Sequence, residues 1–135
     1  MAESRDTQLL KGVLPMLALA ALARDETYGY ELVTVLRDAG LDDLSTGTLY
    51  PVLTRLEREG LLTSRLVAST SGPARKYYRP SEVGRQALAD HRAAWAELVA
   101  VTARVLDGAP PTPHPTDTTG TTDAPAPAAD RGLLR

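Results

Sequence analysis

From Leu10 onward the apolar side chains Leu10, Val13, Leu14, Leu17, Ala20 and Ala21 recur at steps of three and four residues. That spacing lines one face of an α-helix and predicts a first helix packed on a core. Pro15 lies inside it and should kink the helix or mark where its regular part begins, because proline removes a backbone donor. Thr27 suits the N-cap of a second helix with Tyr28, Leu32, Val35 and Leu36 turned inward, and Gly40 suits the position just past its end. Ser45 caps a third helix, in which Leu49, Val52, Leu53 and Leu56 form the apolar face and which Gly60 ends.

After Gly60 the helical period gives way to alternation, with Thr63, Arg65 and Val67 on one side and Ser64, Leu66 and Ala68 on the other. Thr70, Ser71, Gly72 and Pro73 supply a turn, and Arg75 to Arg79 return as a second strand, so this stretch reads as a hairpin. Ser81 then starts a longer helix that carries Leu88, Trp95, Leu98, Val99, Thr102, Val105 and Leu106 along one side until Gly108. Beyond it, residues 109–130 hold six prolines and six threonines, a composition that predicts a disordered tail. The reading is therefore mainly α with a small β-hairpin: a winged helix-turn-helix over 1–80, a C-terminal dimerisation helix over 81–107 and a tail over 108–135.

Composition narrows the chemistry. The chain has 135 residues, enough for one compact domain with a tail. It has no cysteine, and His91 and His114 are its only histidines, so thiolate chemistry is excluded and a metal site or metal cofactor is not expected. No phosphate-binding loop or metalloprotease motif occurs, and an enzyme is not expected. The apolar stretch from Val13 to Ala23 is too short to span a bilayer and follows a polar start. The expectation is a cytoplasmic protein with no membrane partner.

The formal net charge of −2 offers nothing to nucleic acid, but its distribution does. Residues 20–44 carry two cations (Arg24, Arg37) and six acids; residues 45–80 carry six cations and only Glu57 and Glu59 as acids. The two stretches are therefore net −4 and net +4, as a protein needs if one surface faces phosphates. With Leu49 inward, Gly47, Pro51, Thr54 and Arg58 fall on the outer side of the third helix, flanked by Tyr50 and Arg55. That face is small, polar or cationic, as entry into a major groove requires. Pro51 crowds the carbonyl of Gly47, at a cost of roughly 3 kcal/mol in an ordinary helix interior. On the hairpin, Arg65, Arg75, Lys76 and Arg79 form a run of cations without an acid, suited to phosphate.

Three stretches together are specific: Tyr28-Gly29-Tyr30-Glu31, the run from Ser45 through Tyr50-Pro51 and Arg55-Leu56-Glu57 to Leu61, and Gly72-Pro73-Ala74-Arg75-Lys76-Tyr77-Tyr78. In this order and spacing they resemble the PadR family of transcriptional regulators, over roughly Leu9 to Leu106, in its short form with one C-terminal helix. The resemblance implies a homodimeric winged-helix protein that binds double-stranded DNA, usually a repressor released by a small effector. By position it implies Ser45, Thr46, Thr48, Tyr50 and Arg55 as recognition-helix contacts, and Arg75 and Lys76 as wing contacts. The junction Pro80-Ser81-Glu82-Val83-Gly84 departs from the Leu-Thr junction usual in the family.

The stripe of Leu88, Trp95, Leu98, Val99, Thr102 and Val105 is too apolar to leave exposed on so small a domain, and predicts the dimer interface. Trp95, the only tryptophan, offers the largest stacking surface, and Leu10, Leu14 and Leu17 could line an apolar pocket beside it for a flat aromatic effector. The rival reading is a winged-helix protein-interaction adaptor that binds no operator, since fold alone does not set function.

Overall fold

The computed structural model describes residues 7–108; the Pro/Thr-rich tail expected beyond Gly108 lies outside them. The chain runs α1 (Thr7–Arg24), β1 (Thr27–Tyr28), α2 (Gly29–Asp38), α3 (Thr46–Arg58), β2 (Leu62–Ser69), β3 (Gly72–Pro80) and α4 (Glu82–Asp107). It falls into two compact units: one reaches Ala96 and holds the winged-helix body, and the other begins at Glu97 and holds the last turns of α4.

Short-range chemistry sets the helix ends. Gly40 and Gly60 both have positive φ, +130° and +82°, which an L side chain rarely adopts. After α2 the Gly40 and Leu41 amides donate back to the Arg37 and Leu36 carbonyls, and after α3 the Gly60 and Leu61 amides donate to those of Glu57 and Leu56. Both are Schellman closures, which satisfy carbonyls that the helix end would leave unpaired. Ser45 caps α3 by accepting the Thr48 amide at 3.2 Å. Ser81 caps α4 by accepting the Gly84 amide at 3.0 Å, and its hydroxyl donates to the Gly60 carbonyl at 2.6 Å. This double use of Ser81 ties the end of α3 to the start of α4. Gly84 is required there, because a β-carbon would overlap the Leu61 carbonyl.

The core is made of leucines from every helix of the body: Leu14, Leu19 and Leu22 of α1, Leu32 and Leu36 of α2, Leu49, Leu53 and Leu56 of α3, with Leu62 and Leu88. Each fully buried leucine contributes about 1.5–3 kcal/mol over leaving it in water. Arg37 closes the turn between α2 and α3, its Nε donating to the Leu44 carbonyl at 2.6 Å.

Several expectations are corrected. Thr27 does not cap α2: it pairs with Tyr78 in a short strand, and Tyr28 holds the N-cap position without a side-chain bond. The hairpin is thus part of a three-stranded antiparallel sheet ordered β1-β3-β2. The turn of the hairpin is tighter than expected, with β3 starting at Gly72 and the register slipping between Val67 and Ser69. On α1 the buried residues are Leu14, Pro15, Ala18, Leu19 and Leu22, a face rotated from the expected one, which leaves Leu10, Leu17, Ala20 and Ala21 half-buried. On α2 it is Val33 that is buried, whereas Val35 is exposed. Leu88 belongs to this core at 8% exposure, so it has little surface to give to a dimer contact. Leu14, fully buried for the same reason, has none to give to an effector.

Candidate nucleic-acid interface

The outer side of α3 is open as the periodicity requires. Gly47, Tyr50, Pro51, Thr54, Arg55 and Arg58 are exposed while Leu49, Leu53 and Leu56 anchor the opposite side. Pro51 sits inside a continuous helix of 13 residues, and Gly47 has open space about it apart from the Ser45 hydroxyl, so the crowding of that turn meets no side chain. Alongside runs a groove of about 1000 Å³ between α1 and α3, with Lys11, Thr48, Tyr50, Arg55 and Arg58 in its wall. Lys11 is a cation at this surface that the sequence reading did not single out. Of the expected contacts, Ser45 is exposed and Thr46 and Thr48 are half-buried. The Ser45 and Thr48 hydroxyls lie 3.1 Å apart and bond to each other, so they shape the start of the helix. Arg55 has only a loose contact with Glu59, at 3.7 Å with both side chains about half exposed, which leaves it available to an outside anion.

Tyr50 is held from behind. The Cε1 side of its ring lies against Gly29 at the start of α2, where a β-carbon would overlap it. The Tyr-Gly-Tyr motif and the Tyr-Pro motif are thus two sides of one contact. A cavity of about 290 Å³ opens beside it, walled by Tyr28, Tyr50, Arg75, Lys76 and Tyr78, so recognition helix and wing meet there.

The wing cations are not equivalent. Arg65 makes a two-pronged bond to Glu26, with Nε to Oε2 at 2.8 Å and Nη2 to Oε1 at 2.9 Å. That bond holds the Glu26 carboxyl below its usual range and raises Arg65, with Arg79 adding to the field on Glu26. Lys76 places its ammonium 2.9 Å from Glu57 Oε1 on α3, and Ser64 donates to the other oxygen at 2.5 Å. Hydrogen bonds from Ser64 and then Lys76 hold the Glu57 carboxyl low, and Glu57 in turn raises Lys76. Arg75 instead stacks over the Tyr28 ring at 4.5 Å and, among the described residues, pairs with no carboxylate. Burial pushes Tyr78 up, and Tyr28 and Tyr77 pack at 5.4 Å between ring centres. The pairing of Glu26 with Arg65 and of Glu57 with Lys76 went unread in the sequence. The only available signal was that Glu57 is one of two acids in an otherwise cationic stretch.

Trp95, Leu98, Val99 and Val105 of α4 are 45%, 57%, 46% and 73% exposed, and Thr102 is exposed with them. Leu17 lies in a second cavity, of about 620 Å³, with Ala21, Leu32, Val35, Leu36 and Arg92; Trp95 stands one turn beyond Arg92 and outside that lining.

A helix-turn-helix whose second helix presents a polar, cationic face, next to a cationic hairpin, defines a winged-helix DNA-binding protein. The model of the transcriptional regulator PadR-like family matches residues 18–90, and the chain belongs to the PadR family of transcriptional regulators. It is similar to the transcriptional regulator Rv3488 of Mycobacterium tuberculosis, 45% identical over 78 residues that make up 56% of this chain and 69% of that protein. Among solved structures, a PadR-like transcriptional regulator from Bacillus cereus superposes with a TM-score of 0.67 at 37% identity, covering 74% of this chain and 97% of the other. A PadR family regulator from Eggerthella lenta superposes with a TM-score of 0.68 at 38% identity, covering 73% and 86%. The matched family and these relatives are regulators of transcription, not enzymes, and no helix among the described residues is long and apolar enough to cross a membrane.

Proposed function

We propose that this regulator works in the cytoplasm as a homodimer on an inverted-repeat operator and represses until a small effector releases it. The observation that carries the dimer is the set of large apolar side chains exposed along α4, Trp95, Leu98, Val99 and Val105. A second copy is the occupant that would remove them from water, because a two-fold contact lets the same patch cover itself. Two recognition helices related by a two-fold axis read an inverted repeat, with half-sites about one helical turn apart. On α3, Tyr50, Arg55, Thr46, Thr48 and Ser45 would face base edges or nearby phosphates, and Arg75 and Lys76 would reach the backbone from the wing.

Trp95, with Leu10 and Leu17 of an opposing α1, is the proposed seat of a flat aromatic effector. Such a ligand releases DNA only by preferring the spacing of recognition helices that DNA does not fit, and a tenfold release needs about 1.4 kcal/mol of preference. Because Trp95 is the only tryptophan, its fluorescence reports that seat. A true effector quenches it and dissociates the complex over one concentration range; release without quenching moves the pocket elsewhere.

Sequencing of genomic fragments retained by the purified protein tests the operator. The expected result is an inverted repeat bound with steep salt dependence. Enrichment of isolated half-sites would overturn the two-fold reading, and absence of any salt-dependent retention would make the protein a winged-helix adaptor instead.

A further inference from the structure

Glu57 stands where three elements meet: it is on α3, takes a hydrogen bond from Ser64 of β2, and takes the ammonium of Lys76 of β3. Its own helix neighbours Arg55 and Arg58 belong to the groove wall. The carboxylate is therefore at the seam between the helix face and the wing. A carboxylate oxygen and a phosphate oxygen are the same kind of acceptor for an ammonium, at the same distance. In the free protein Lys76 already holds one at 2.9 Å, and a DNA phosphate has to compete with that carboxylate for the ammonium's charge.

We propose that Glu57 is a specificity-determining residue, which keeps Lys76 from the phosphates of random DNA and yields it only when the recognition helix is seated in an operator. This rests on the reading of α3 and the wing as the DNA-binding surface. On a loosely held random duplex the wing meets the backbone with Lys76 neutralised, so Lys76 adds nothing to counterion release. In the seated complex the phosphate is held against the wing by all the other contacts, and the exchange becomes favourable. The pair is partly exposed, with side chains 48% and 32% open, so it is weak enough to break. Glu26 does not serve in the same way. It binds Arg65 through both oxygens, and it precedes β1 rather than standing on the recognition helix.

The test is a double-mutant cycle on the full chain with Glu57→Gln, Lys76→Met and the two combined. Binding is measured against salt on the tightest fragment from the genomic selection and on a random duplex of equal length. With Glu57→Gln, random DNA binds about threefold tighter and its log-affinity slope against log salt steepens by about 0.9, one extra phosphate, so the preference for the selected fragment narrows. With Lys76→Met the slope on random DNA stays at the parent's value while that on the selected fragment falls by about 0.9. In the Lys76→Met background, Glu57→Gln leaves the random-DNA slope unchanged. Equal steepening with and without Lys76 would overturn the proposal, since Glu57 would then act only by repelling DNA. So would a random-DNA slope lowered by Lys76→Met alone, a readout that stands even if Glu57→Gln fails to fold. A parent without salt-dependent binding removes the DNA reading itself; a parent that binds normally beside unaltered variant slopes removes this proposal alone.

Discussion

Helices α3 and α4 both carry an exposed face, and the two faces have opposite chemistry. On α3 the open positions are Gly47, Pro51, Thr54, Arg55 and Arg58, with the half-exposed Tyr50; on α4 they include Trp95, Leu98, Val99 and Val105. The first face loses nothing by standing in water and gains when a polyanion arrives; the second is unfavourable in water until something apolar covers it. Exposure by itself says little. What the exposed side chains are made of is the ground for proposing DNA as the partner of the first face and a second copy as the partner of the other.

The sharpest way to break this contrast is to remove one face. A chain ended after Asp90 loses Trp95, Leu98, Val99 and Val105 and is expected to sediment as a monomer at concentrations where the full chain is expected to be a dimer. A persisting dimer would put the interface elsewhere. Leu88 and Leu98 then separate core from proposed interface along a single helix. Leu88→Ala empties a buried site and should lower stability by about 2–4 kcal/mol at every protein concentration. Leu98→Ala, at a position 57% exposed, should shift the dimer equilibrium and leave dilute-protein stability within about 0.5 kcal/mol. Denaturant melts at two concentrations distinguish them, and a concentration-dependent loss for Leu88→Ala would contradict its place in the core.

On the other face, Tyr50→Ala should reduce the ratio of selected-fragment to random-DNA affinity by about tenfold, the size of one good base contact. Titration of both duplexes at one salt concentration checks it, and equal loss on both would make Tyr50 a packing residue on Gly29 rather than a reader of bases. The smallest effect is expected from deleting residues 109–135, which contain no stripe that either face could use. Dimerisation and affinity should stay within about twofold of the parent, and a large drop in affinity would give that segment a role as an arm.

The features legible in the sequence are those governed by groups within a turn of one another. Ser45 before Thr48, glycine at 40 and 60, Ser81 before Gly84 and the alternation through Thr63 to Val67 each act over a few residues, and each appears in the structure as an end, a cap or a strand. The three motifs that mark the family were legible for a different reason, their order and spacing along the chain. Tertiary structure decided what depends on where the chain returns. Helix α1 is apolar on nearly every side, so its period could not choose between the expected face and that of Leu14, Ala18 and Leu22. Thr27 and Tyr28 are a strand only because β3 offers an edge beside them, and two residues carry no period of their own. Leu88 looked like part of a free stripe until the body of the fold closed over it. The pairs of Glu26 with Arg65 and of Glu57 with Lys76 join charges from separate elements. No local rule chooses a partner at that range, because water and salt screen charges more than about 10 Å apart, and only packing of the core brings these within a few ångströms.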